Sequence, residues 1–362
     1  MKVACTEAAL LRIVSAKRRQ NLKALVYKGP KQLEIEQRPV PVPKEGELLL
    51  KVKACGICGS DVHGYLGLTG RRIAPMVMGH EFSAEVVGLG TGLKLGFTEG
   101  DRVAVQPCVS CGECEYCLSG NNNLCESRKF MGAMDYDGAF TEYLCVPERL
   151  AFRLPDELSY STGALIEALA VSYAGVKKLG DISGKNIAII GGGTIGLLAL
   201  VAAKAQNPAR VLVSDLSPLR LEAAKKLGAD VALDPKGKDF ETEVRAAFGG
   251  NLADFSVEAV GITPTVTQAI SALKPGGTCV WIGNSAKNVE INMQSVVTRA
   301  LNVKGTYIYS HSEFGEAIEF IREHKPDFSA LISREVSLDE APEMFRELAE
   351  HTEKYLKCVV KF

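Results

Sequence analysis

One uncharged run of apolar and glycine residues, positions 187–203, constrains this chain more than any other. At seventeen residues it falls just short of the ~18 a membrane helix needs, and glycines crowd its first half. It reads instead as a strand over 186–190, a tight turn and a helix over 197–205. The turn, Gly191-Gly192-Gly193-Thr194-Ile195-Gly196, fits G-x-G-x-x-G. Gly191 permits the turn, Gly193 lets backbone approach a pyrophosphate, and Gly196 lets the helix lie close on the strand. The helix start, with Thr194 and Ile195, aims free N–H groups at the phosphates. A second apolar strand follows at 210–214 and ends in Asp215, 19 residues after Gly196. A carboxylate there accepts ribose hydroxyls and repels an added phosphate, which favours NAD over NADP. Arg220 lies near the same adenosine end and pulls the other way.

The surroundings suit that unit. From about residue 168, strands at 186–190, 210–214, 231–233, 255–258, 278–282 and 303–308 alternate with helical periodicity, which predicts a doubly wound parallel sheet. Before it the chain is β-rich and glycine-punctuated, with strands at 23–27, 33–36, 47–54, 81–89 and 101–105. After residue 312 come two amphipathic helices, near 314–323 and 339–350, and an apolar strand at 358–360. A length of 362 residues suits two domains at roughly 150 residues each. Net charge of −1 gives no basic field, so neither nucleic acid nor an anionic membrane is the expected partner. Residues 1–22 form a basic, acid-poor extension; Glu7 and Arg12 break the apolar run a secretory signal needs.

Cysteine supplies the next constraint. The chain has 11, an odd and locally clustered set that suits reduced thiols in the cytoplasm. Cys111, Cys114, Cys117 and Cys125 follow C-x2-C-x2-C-x7-C, which fits a closed tetrahedral zinc site. The spacing differs from ferredoxin runs. Cys108 lies upstream as a spectator, although Cys108-Cys111-Cys114-Cys117 is an alternative set. A second constellation begins at Cys58-Gly-Ser60-Asp61-Val-His63, with Gly79-His80-Glu81 about twenty residues later. Thiolate, imidazole and carboxylate make a three-ligand set with one open position, the pattern of catalytic zinc. Cys55 and Cys58 also form C-x2-C, but the βαβ setting of a redox dithiol is missing.

With these motifs, and with Ile166-Glu167-Ala168-Leu169, the chain resembles the zinc-dependent medium-chain alcohol dehydrogenases, in texture the polyol (sorbitol-type) branch, over residues 23–362. The resemblance implies a GroES-like β-barrel catalytic domain, from 23–167 and 310–362, around a Rossmann domain at 168–309. It implies one structural zinc and one catalytic zinc on Cys58 and His80, with Glu81 and Glu167 as carboxylate partners that can exchange. It implies zinc-assisted hydride transfer from a small-molecule alcohol to NAD. Ser60 is then placed to accept the hydroxyl proton, His63 to relay it, and Asp61 to fix the His80 tautomer. Tyr65 and Tyr309 are candidate substrate contacts, with a core position as the rival reading for Tyr65. Lys357 sits where a basic residue often lies near the pyrophosphate, with a solvated lysine as the equal rival. A homodimer or homotetramer is the family habit.

Three positions depart from the family pattern. Ala84 stands where a Gly is usual, Ala168 follows the pocket Glu in place of Pro, and Ile308-Tyr309 replaces Arg-Tyr. The expected substrate is a polyol, cyclitol, sugar acid or small diol. The alternatives are a threonine-type amino alcohol dehydrogenase, a zinc-stabilised binding protein without catalysis, and a zinc-free quinone reductase, which the ligands themselves disfavour.

Overall fold

The computed structural model describes residues 21–134 and 136–362. Most of the N-terminal extension read from the sequence lies outside the described residues. Its end does not: Asn21 and Leu22 open the strand Asn21–Gly29, where Leu22 is buried. That strand folds back on Gln32–Pro39 through a turn in which Lys31 takes a positive φ of 63°.

The strand that organises the first region is Glu47–Ile57, 11 residues long. It pairs antiparallel with Glu81–Leu89, with Tyr143–Pro147 and with Lys357–Lys361. The sheet order runs Ala151–Arg153, Arg102–Val105, Glu81–Leu89, Glu47–Ile57, Lys357–Lys361, Ile332–Ser337. The chain therefore leaves this sheet after Ala151–Arg153 and returns to it some 180 residues later, as the barrel reading expects. Ala84 pairs with Val52, beside a register shift, and with Val103; it lies in a strand without a positive φ, so the backbone there does not require glycine.

Between the two passages lies a parallel six-stranded sheet. Its order is Val231–Leu233, Arg210–Ser214, Asn186–Ile190, Ala253–Glu258, Leu273–Trp281, Asn302–Gly305. That is the order 3-2-1-4-5-6 of a doubly wound sheet, whose ligand crevice opens beyond the strand ends where the order reverses. Here the reversal falls between Asn186–Ile190 and Ala253–Glu258. Ile187, Ile189, Val211, Val213, Val257 and Val280 are fully buried beneath its helices, each contributing roughly 1.5–3 kcal/mol of transfer free energy. The 187–203 run resolves into strand, turn and helix, and among the described residues no helix is long and apolar enough to cross a membrane.

Candidate active site and metal centres

Register builds the first centre. Gly56 of the long strand faces Glu81, and a Cβ on Gly56 would meet Glu81 Oε2 at 2.4 Å. A glycine there makes room for the carboxylate. Two residues on, Cys58 caps the helix Gly59–Tyr65, and His80 immediately precedes the paired strand. The ligand atoms of Cys58, His80 and Glu81 consequently lie within 4.8 Å of one another, with His80 and Glu81 buried. Sulfur, imidazole nitrogen and carboxylate oxygen at this spacing fit a three-ligand zinc site.

The groups behind these ligands only partly match the sequence reading. Asp61 Oδ1 lies 3.4 Å from His80 Nδ1, and that nitrogen has no well-formed hydrogen bond. The stronger partner of Asp61 is Arg72, whose Nη2 donates at 2.8 Å. Burial works against charge on Asp61, yet His80 and Arg72 beside it hold its carboxyl down at about 2. Burial also works against charge on His80, but Asp61 and Cys58 hold its proton on well above the ordinary imidazole range. A cation on Cys58 would take that proton's place.

Glu81 is the second surprise. Lys357 Nζ donates to both of its carboxylate oxygens, at 2.7 and 3.0 Å, and to Ile57 O at 3.3 Å. Lys357 is therefore a buried counter-ion of the centre, not a solvated cation awaiting a pyrophosphate.

Glu167, at the start of the helix Ile166–Lys177, stands outside the close three-atom group. Burial, with Glu81 nearby, raises its carboxyl to about 7. Tyr309 donates its hydroxyl to Glu167 Oε1 at 2.7 Å. Tyr309 is fully buried against Phe314 at 5.4 Å between ring centroids, so the expected substrate contact is instead a support for Glu167. Tyr65 is also corrected: its ring is buried and packs on Phe345 at 5.7 Å, as a core residue. Ser60 is exposed and His63 half-buried on the same short helix. His311 meets Gln106 Oε1 through Nδ1 at 2.7 Å.

The four-cysteine lobe closes on itself. Cys111, Cys114, Cys117 and Cys125 bring their sulfurs within 4.8 Å of one another. Three of the S···S separations are 3.5, 3.5 and 3.8 Å. A tetrahedron with Zn–S bonds of ~2.3 Å has edges of about 3.8 Å. Backbone N–H groups of Cys111 and Cys114 point at the sulfurs of Cys125 and Cys111, each at 3.4 Å. Cys108 is buried outside the set, which leaves Cys125 as the fourth member. Cys55 is fully buried too, and burial pushes its thiol far up, so it makes no redox pair with Cys58.

At the sheet's crevice, Gly191 takes a φ of +103°, and a Cβ on Gly196 would fall 1.8 Å from Gly191 O. A Cβ on Gly193 would meet nothing within 4 Å, which leaves its space open to a ligand. Gly193 caps the 11-residue helix Thr194–Lys204. Thr194 donates its hydroxyl to Leu356 O at 2.9 Å. Asp215 accepts from Gly192 N at 2.7 Å and Ser217 N at 2.9 Å, with Arg220 Nη1 at 3.5 Å. Both the acid and the turn it braces stand where a dinucleotide's ribose and pyrophosphate would lie.

The fold and these centres define a zinc-type dehydrogenase of two halves. Comparison with known proteins agrees. Residues 44–156 match the alcohol dehydrogenase GroES-like domain, and residues 194–323 match the zinc-binding dehydrogenase family. The sorbitol dehydrogenase of Bacillus subtilis is 34% identical over 345 residues, covering 94% of this chain and 97% of that protein. The 2R,3R-butanediol dehydrogenase structure from Bacillus subtilis superposes with a TM-score of 0.85 at 33% identity, covering 94% of this chain and 99% of that one. A Sinorhizobium meliloti protein solved with NADP gives a TM-score of 0.86 at 31% identity, with 95% and 100% covered. The chain belongs to the zinc-containing medium-chain polyol dehydrogenase family. It is an oxidoreductase of the alcohol and polyol class.

Proposed function

We propose that this chain oxidises a secondary alcohol of a polyol or small diol with NAD, at a catalytic zinc held by Cys58, His80 and a carboxylate. The observation that carries the reading is the cluster of three unlike donor atoms within 4.8 Å, in a chain that also has Asp215 at the adenosine end of its crevice. Zinc bound there would supply Lewis acidity toward the substrate oxygen, and NAD the hydride acceptor. This chain's own residues do the rest. Cys58 and His80 hold the metal. Glu81, balanced by Lys357, and Glu167, supported by Tyr309, are the two carboxylates available to it. Ser60, exposed beside Cys58, accepts the proton of the substrate hydroxyl and His63 passes it outward. The four-cysteine lobe holds a second, structural zinc.

Asp215 favours NAD, because the phosphate of NADP would face a carboxylate already braced by two backbone N–H groups. The thiols suit a reducing cytoplasm. We also read a homo-oligomer: Met293 and Val297 are 70% and 68% exposed beside the free edge of Asn302–Gly305, an apolar surface that a second copy would cover.

The experiment is reduction of NAD and NADP across polyols, cyclitols, diols and threonine, with metal analysis and a chelator arm. Chelator-sensitive NAD reduction with a polyol or diol supports the reading. Turnover that survives complete removal of zinc, or turnover of threonine alone, overturns it.

A further inference from the structure

The segment that carries Tyr309 is held at both ends, and the four-cysteine lobe supplies the hold. Residues 306–310 join the last strand of the parallel sheet, Asn302–Gly305, to the helix His311–His324 and belong to neither. Within them Ile308 takes a φ of +43°. A β-branched residue in that region is costly and persists only where its surroundings hold it. Two of the holders lie 184 and 189 positions upstream. Asn123 donates from Nδ2 to Tyr307 O at 2.9 Å. Asn122 Oδ1 accepts from His311 N at 2.7 Å, one of the N–H groups that the start of a helix leaves without an internal partner. Gln106 meets the His311 ring and leaves that backbone N–H to Asn122. Arg128 lies over the Tyr307 ring at 4.9 Å and donates to Cys125 O at 2.7 Å. Asn122 and Asn123 fall between Cys117 and Cys125, and Arg128 follows three positions later. Tyr309 stands between the two held positions, its ring fully buried and its hydroxyl on Glu167.

We propose that Asn122 and Asn123 are positioning residues of the active site. By holding Tyr307 and His311 they keep the backbone between them in the conformation that lays the Tyr309 hydroxyl on Glu167, and the lobe thereby forms part of the framework around that carboxylate. The effect on turnover rests on the polyol reading of the centre; the placing of Tyr309 does not. The proposal gives a task to two asparagines that the cysteine spacing leaves unexplained.

The test uses zinc-loaded enzyme labelled with fluorotyrosine, with the fluorine resonance of Tyr309 assigned by its loss in Y309F. N122A/N123A removes both holds. N122D keeps an acceptor for His311 N, and N123A removes only the donor to Tyr307 O. In N122A/N123A the Tyr309 resonance should shift or broaden, and kcat for butane-2,3-diol should fall by about 10- to 100-fold with KM for NAD little changed. N122D should keep both readouts close to wild type. Zinc content and melting temperature show whether the double variant has folded; if it has not, N123A carries the test, with the same shift and a smaller loss of kcat. A folded variant lacking both holds whose Tyr309 resonance stays in place overturns the proposal, and so does a resonance that moves with kcat unchanged. Wild-type enzyme that oxidises no alcohol overturns the polyol reading instead, and the Tyr309 resonance then decides the positioning by itself.

Discussion

Lys357 Nζ lies 2.7 Å from Glu81 Oε2, and both side chains are almost completely buried. The two residues are 276 positions apart, on neighbouring strands of the long strand Glu47–Ile57. Burial alone would strip the proton from Lys357; the Glu81 carboxylate keeps it charged, above the ordinary lysine range. The pair makes Glu81 a ligand already in use, so a metal arriving there must share the carboxylate with an ammonium.

Replacing Lys357 by Met leaves that carboxylate buried and unpaired. Breaking one side of a buried ion pair costs about 3–5 kcal/mol. Urea unfolding of the metal-free protein should show a loss of that order. Zinc-loaded protein should lose less, because the metal compensates Glu81 and binding to the native state adds stability. Equal losses with and without zinc would place Glu81 outside the metal's coordination.

In the four-cysteine lobe, backbone N–H groups of Glu113 and Cys114 hold the Cys111 thiol down at about 6. Burial pushes Cys145 up to about 12. After zinc removal, then, Cys111 is a thiolate from about pH 6 upward and Cys145 remains a thiol throughout the neutral range. Iodoacetamide labelling read by mass spectrometry should modify Cys111 first, with a rate that rises between pH 5 and 7 and then levels off. Zinc should protect it. Labelling of Cys145 at a comparable rate at pH 7 would contradict the assignment.

Gly196→Ala places a methyl group 1.8 Å from Gly191 O. No rotamer relieves a backbone clash, so the turn must open. Nucleotide affinity, followed by fluorescence titration, should fall at least about 100-fold, with stability lowered by roughly 1–3 kcal/mol. The zinc content of the four-cysteine lobe should be unchanged. Nucleotide binding at wild-type strength would mean that the crevice at this turn is not the cofactor site.

Asp215→Ser removes the acid that would oppose a 2′-phosphate and releases Arg220, now 3.5 Å from it. The preference for NAD over NADP, as a ratio of kcat/KM, should move toward NADP by about tenfold or more. A ratio that stays put would show that the adenosine end lies elsewhere.

How much of this was readable in advance divides along one physical line. Motifs closed by local geometry were legible: the Gly191–Gly196 turn and the four cysteines need only short-range spacing. Contacts chosen by topology were not. Tyr309 with Glu167 and Lys357 with Glu81 join residues 142 and 276 positions apart. Tyr309 shows the difference well. It was read as a substrate contact, and nothing in the pattern told that its ring is buried and its hydroxyl meets a carboxylate. Strand ends were also misplaced. The strand read over 303–308 stops at Gly305, and Ile308 turns the chain with a φ of +43°. The strand read from 278 begins at Leu273, through a Pro-Gly-Gly stretch that propensity disfavours.

The segment before Lys357 has a further consequence. Thr352 O, Glu353 O and Leu356 O receive Arg220, Ser217 and Thr194, while Lys357 itself reaches Glu81. Four residues within a six-residue segment thus touch the adenosine end of the crevice, the glycine turn and the metal ligands. During synthesis the two halves can each begin to form as they emerge, but neither crevice nor centre has its full wall until residue 357 has cleared the ribosome. A nascent chain halted before residue 357 would accordingly leave the Glu81 carboxylate without its ammonium and the crevice without the carbonyls that receive Arg220, Ser217 and Thr194.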